Sequence, residues 1–95
     1  MDRVRQLLTR TRLLHSDVAK RLQRAGLTPG GMHEIPEGND VRLAFGYIED
    51  TPGGGVRQRY IETVITAGEF ASLGRDVRRK VLEQVDAGLQ GAVHG

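Results

Sequence analysis

Residues 41 to 47, Val41-Arg42-Leu43-Ala44-Phe45-Gly46-Tyr47, set Val41, Leu43, Phe45 and Tyr47 in strict alternation with Arg42, Ala44 and Gly46. A period of two is the pattern of a strand with one buried face. Downstream, Asp50 to Gly55 (DTPGGG) supplies the turn residues of a hairpin, and its three consecutive glycines point to a mobile tip. A second strand is expected over about Arg57 to Ile65. Thr66-Ala67-Gly68-Glu69 then has the spacing of a capping box, in which Thr66 accepts from the third helical amide while Glu69 reaches back. A helix is therefore expected over about 67–90. Phe70, Leu73, Val77, Val81 and Val85 form its apolar stripe, and Asp76 with Lys80 and Arg79 with Glu83 make (i, i+4) pairs. Gly88 and Gly91 mark its end, leaving a short tail.

Upstream of the hairpin, Val4, Leu7, Leu8, Thr11, Leu14, His15, Val18, Leu22 and Ala25 fall on one stripe at 100° per residue, which predicts a helix over about 3–25 stopped by Gly26. Leu13 lies outside the stripe. Arg3, Arg10 and Arg21 border one edge of it and Arg5 and Arg12 the other. Residues 27–40 are dense in Gly, Pro and polar residues and are expected to form a loop, with a short extended piece at Met32 to Ile35. The fold class that follows is α+β over a single domain, residues 1–95. It is a helix, a β-hairpin of two or three antiparallel strands and a helix, stacked in two layers. Such a sheet has open edges and an uncovered face, so the chain is expected to be oligomeric.

The composition agrees with a small, thinly packed domain. Leu, Ile, Val and Phe account for 25 of 95 residues, above the level at which a charged chain stays disordered, but 13 residues are glycine and bury almost nothing. A domain of this length buries roughly 60–65% of its unfolded surface, which again favours help from another subunit. The net charge is +2, unevenly spread. Residues 1–26 carry +5, residues 27–56 carry −4 and the rest +1, so a basic helix precedes an acidic middle, and one is expected to shield the other within a monomer or dimer.

Signals for chemistry are weak. There is no cysteine, hence no disulfide framework and no thiolate site, which suits a cytoplasmic protein or one inside an assembled particle. The arginine-rich start lacks the apolar run of a signal peptide, and no stretch approaches the ~20 apolar residues of a membrane span. His15, His33 and His94 lack a second ligand at (i, i+4), so no metal is expected. His15 is expected to be packed or at an interface. Ser16 and Ser72 sit in helical contexts without the strand-to-helix elbow of a hydrolase. Pro52 to Arg57 lacks the Gly-Lys-Ser/Thr ending of a phosphate loop. Neither a catalytic residue, a cofactor nor a small-molecule substrate is implied, and the chain is not expected to be an enzyme.

Across residues 3–90, the helix, hairpin, helix order resembles in topology the nucleoid-associated YbaB family, small dimers that bind DNA. Tyr60-Ile61-Glu62-Thr63-Val64-Ile65 running into VRRKVLEQV resembles the alkaline-shock-protein family and small tail-completion and terminator subunits of phages.

The leading expectation is a structural, assembly or adaptor subunit working through contacts with itself and another protein. Its contacts are expected at Val4, Leu8, Val18 and Leu22 of the stripe, at Leu13, and at the Gly53-Gly54-Gly55 tip. The alternative is a basic dimer that grips nucleic acid through Arg75, Arg78, Arg79 and Lys80, helped by Arg10, Arg21 and Arg24. A third is an inhibitor or antitoxin-like binder using the acidic loop Glu34 to Asp40.

Overall fold

The computed structural model describes residues 2–94, with side chains described as far as Gly91. The order is α1 (Asp2–Arg24), β1 (Thr28–Glu37), β2 (Asp40–Asp50), β3 (Val56–Thr66), α2 (Ala67–Ser72) and α3 (Arg75–His94). The three strands form an antiparallel sheet in the order β1-β2-β3. The expected α+β class holds, with three strands.

Helix α1 ends as its sequence predicts. Gly26 takes φ 81°, its amide donates to the Gln23 carbonyl, and the Leu27 amide reaches back to Leu22 at 2.9 Å. This pair of bonds is the Schellman arrangement, for which glycine suits the left-handed position. The 27–40 loop, by contrast, is a ten-residue strand. Pro29 and Pro36 disguise it, yet proline is tolerated on an edge strand, and β1 is an edge. A register shift between Pro29 and Met32 absorbs Gly30 and Gly31 as a bulge. The connection to β2 is a two-residue turn in which Gly38 holds the first position at φ 60°.

The second hairpin has the expected strands, and its tip is closed by bonds from the Thr51 amide to the Gly55 carbonyl and from the Gly54 amide to Thr51. The capping box is complete. Thr66 Oγ1 accepts from the Glu69 amide at 3.0 Å, and Glu69 Oε1 accepts from the Thr66 amide at 2.9 Å. The helix it starts is not the single one expected over 67–90. It stops after six residues, where Leu73 turns left-handed at φ 38° and donates its amide to the Glu69 carbonyl. A left-handed leucine costs about 1–2 kcal/mol. Burial offsets that cost, because the corner drives the Leu73 side chain wholly into the core. A second helix, α3, then starts at Arg75 and runs to His94, past the expected end near 90. Gly88 is not its stop. A Cβ there would lie 2.8 Å from Ile61 Cγ2, so this glycine lets α3 approach β3 closely.

All the large core residues lie on one side of the sheet. Val41, Leu43, Phe45 and Tyr47 of β2 and Ile61 and Ile65 of β3 meet Leu14, Val18 and Leu22 of α1, Leu73, and Val81, Val85 and Leu89 of α3. Val18 and Leu22 are thus 1% and 2% exposed inside the chain's own core, which removes them from the expected partner contacts. Arg10 meets the Ser72 carbonyl and Arg21 meets Asp86, so α1 and α3 run side by side in the same direction. The (i, i+4) pairs expected on the last helix do not form: Lys80 turns instead to Glu69, at 3.1 Å.

Two consequences can be measured. Thr63 is buried on the core face and its hydroxyl has no hydrogen-bond partner. Thr63→Val keeps the shape and removes the unsatisfied group, so it should raise unfolding stability by about 1 kcal/mol, seen as a higher urea midpoint at unchanged slope. The second concerns Glu69, whose carboxyl is held below the usual glutamate range by the Thr66 amide and then by the Lys80 ammonium. A carboxylate whose pKa is depressed by folding stabilises above its unfolded pKa, and that contribution is lost as pH falls through the lower folded value. Wild type should therefore exceed Glu69→Gln in stability at neutral pH and lose that margin on acidification, followed by denaturant titrations from pH 7 downward.

Candidate interaction surfaces

The side of the sheet away from the helices is bare. Strand alternation and register put Ile35, Arg42 and Val64 in one row across it, His33, Ala44 and Glu62 in the next, then Gly46 with Tyr60, and Ile48 with Gln58. An antiparallel sheet with one solvated face ordinarily makes that face polar. Here it carries Ile35, Ile48, Val56, Tyr60 and Val64, each between 38% and 71% exposed. These are five of the eight large apolar residues that the described chain leaves exposed. The His33 and Tyr60 rings, from the two outer strands, stand 5.9 Å apart and tilted by 59°, and His33 lies on a strand where a loop was expected. They flank Ala44 and Gly46, which are buried despite facing outward. A Cβ on Gly46 would come within 3.3 Å of the Tyr60 ring, the arrangement in which an aromatic covers a strand glycine.

The same face is acidic. Glu37, Asp40, Asp50 and Glu62 lie on it against the single cation Arg42, which pairs with Glu37 and, at 3.5 Å, with Glu62. The balance is −3 among these residues. Within one chain the basic helix does not shield them, because α1 packs on the opposite side of the sheet; its one ion pair within 4 Å among the described residues is Arg21 with Asp86 of α3, at 2.9 Å.

A second apolar patch lies on α1 itself. The stripe that is buried from Leu14 onward is uncovered before Thr11: Val4 is 65% and Leu8 55% exposed, and Leu7 only half covered. Over Asp2–Arg12 the helix carries Arg3, Arg5, Arg10 and Arg12 against Asp2, a balance of +3. Leu13 is exposed, as expected, on another side of the helix.

The arginines singled out in the sequence are brought together in part. Arg21, Arg75, Arg78 and Arg79 line one cleft of about 330 Å³ between α1 and α3, along with Asp17, Glu83 and Asp86. Arg78 donates to the Leu73 carbonyl and Arg10 to that of Ser72, both at the corner between α2 and α3. Arg24 lines an adjoining cavity with Arg21 and Asp86. Lys80 points elsewhere, to Glu69. Gly53, Gly54 and Gly55 are exposed at the far end of the second hairpin.

The sheet edges are partly guarded by helix side chains. His15 Nε2 lies 3.2 Å from the Gly30 carbonyl of β1, and Gln84 Oε1 accepts from the Val64 amide of β3 at 3.2 Å. His15 is thus half-buried and packed as expected, while the His94 side chain lies outside those described. Among the described residues no three His, Cys, Asp or Glu side chains come together as a metal would require, and no helix is long and apolar enough to cross a membrane.

The sequence named the helix patch and an uncovered sheet face, but not the apolar residues that this face carries. Their signal was the stretch Tyr60-Ile61-Glu62-Thr63-Val64-Ile65, which places apolar residues at both parities and so on both sides of the strand. Comparison with models of known protein families, with curated proteins and with solved structures returns no match.

Proposed function

We propose that this protein is a non-enzymatic structural or adaptor subunit that self-associates and acts through protein contacts. The observation that carries this reading is the placement of exposed apolar side chains. Seven of the eight large ones belong to two patches, the open sheet face and the first turns of α1, with Leu13 the exception. Scattered single leucines need no explanation, but a sheet face with five apolar residues and a helix stripe without cover are what a contact surface requires. Three strands at ~4.8 Å spacing and about 35 Å in length give a face of roughly 500 Å², a useful fraction of the ~800 Å² per partner in a standard interface.

Nucleic-acid binding is the second reading, favoured by the convergence of Arg21, Arg75, Arg78 and Arg79 on one cleft. It ranks lower because Asp17, Glu83 and Asp86 line the same cleft, and because the exposed tyrosine and histidine rings sit on the acidic sheet face, where phosphates are repelled.

Light scattering at two salt concentrations, with and without a DNA duplex, separates the two. The expected result is a mass above the single-chain 10.5 kDa that ignores DNA. A mass equal to one chain at every concentration would reject self-association. A mass gain with DNA at low salt that is lost at high salt, and reduced in Arg75→Ala/Arg79→Ala, would put the nucleic-acid reading first.

A further inference from the structure

Charge decides which surface covers the open sheet face. Two copies stacked sheet to sheet would bring −3 against −3, and like charges brought together across an interface cost free energy. The helix patch has the opposite character: Asp2–Arg12 carries +3 around Val4 and Leu8. Helix on sheet is also the ordinary way to bury the apolar face of a sheet, as α1 and α3 already do on the other side.

We infer that the first turns of α1 of one copy dock on the open sheet face of a second copy, as a deepening of the self-association proposed above. Val4 and Leu8 meet Ile35, Tyr60, Val64 and Ile48, with Arg5 and Arg12 on one flank of the helix and Arg3 on the other facing Glu37, Asp40, Asp50 and Glu62. The contact joins two different surfaces: made reciprocally it gives a two-fold, isologous pair, and made head to tail it gives a ring or an open chain. Eleven helical residues span about 16 Å, and with a width of about 10 Å their footprint is well below a standard interface, so one such contact is weak and a closed assembly, in which every copy makes it twice, is tighter.

The test uses two full-length variants altered only at exposed positions. One breaks the helix patch, Val4→Glu/Leu8→Glu; the other breaks the sheet face, Tyr60→Lys/Val64→Lys. Circular dichroism verifies that each keeps the wild-type helix content. Each variant alone should have half the wild-type mass or less, that of a single chain. Mixed at high concentration, the two should form a complex of just two chains that dissociates on dilution more readily than the wild type, because one intact helix patch and one intact sheet face remain between them. If wild type is oligomeric but the mixture stays single-chain, or either variant keeps the wild-type mass, the helix-on-sheet pairing is wrong while self-association stands. A wild type that is a single chain at all concentrations rejects self-association and the pairing with it.

Discussion

The structure depends on one mismatch of widths. Two helices side by side are about 20 Å across, whereas three strands are about 14 Å. Packed on one face, α1 and α3 therefore overhang its edges while burying its centre, leaving Glu34 and Pro36 of β1 and Arg57 and Arg59 of β3 exposed on that side. That geometry gives the core its place, over Val41, Leu43, Phe45 and Tyr47 of the central strand. It also brings side chains of the overhanging helices to the strand edges, His15 to the Gly30 carbonyl and Gln84 to the Val64 amide. Without such cover, edge amides and carbonyls are templates for pairing with further strands. Both helices are committed to one face, and none among the described residues covers the other.

Charge follows the same division. Helix α1 carries +5 over Asp2–Arg24, and the exposed side of the sheet carries −3. Read along the chain, a basic helix and an acidic middle suggest mutual shielding. Folding places them on opposite sides of the sheet instead, because the apolar stripe of α1 and the apolar parity of β2 fix which surfaces meet, and burial of large side chains outweighs exposed ion pairs. The acidic side chains are left to Arg42, which serves two of them. The molecule thus has a basic side and an acidic side, and neither is neutralised by the other.

What the sequence made legible was set by local rules. The period-two run at 41–47, the Gly26 stop and the Thr66–Glu69 capping box depend on neighbours a few residues away, and all appear where expected. What stayed hidden depends on tertiary context. Pro29 and Pro36 look like loop residues until β1 is known to be an edge strand. Leu73 looks like a stripe position in a continuous helix, and only its burial at the corner explains the left-handed turn. Gly88 looks like a helix stop until Ile61 is found against it. The contact residues divide in the same way. Val4, Leu8, Val18 and Leu22 are equivalent on a helical wheel, and only the length of the body beneath them separates two buried residues from two exposed ones.

The open face is neither an ordinary solvated sheet nor a finished interface. Ala44 and Gly46, at its centre, have too little side chain to hold a partner, and the His33 and Tyr60 rings flank them there. This cover protects the middle of β2 within the single chain. It does nothing for Ile35 and Val64 on one side of the ring pair, or Ile48 and Val56 on the other. A face designed only for water would place polar residues at those positions, since aliphatic side chains there gain nothing from solvent. The chain therefore retains a cost in the isolated state that a helix laid along the face removes, and its own α1 offers a stripe of matching chemistry and opposite charge. In the pairing we propose, the surplus apolar surface on the sheet and the surplus on the helix would be two halves of one packing requirement.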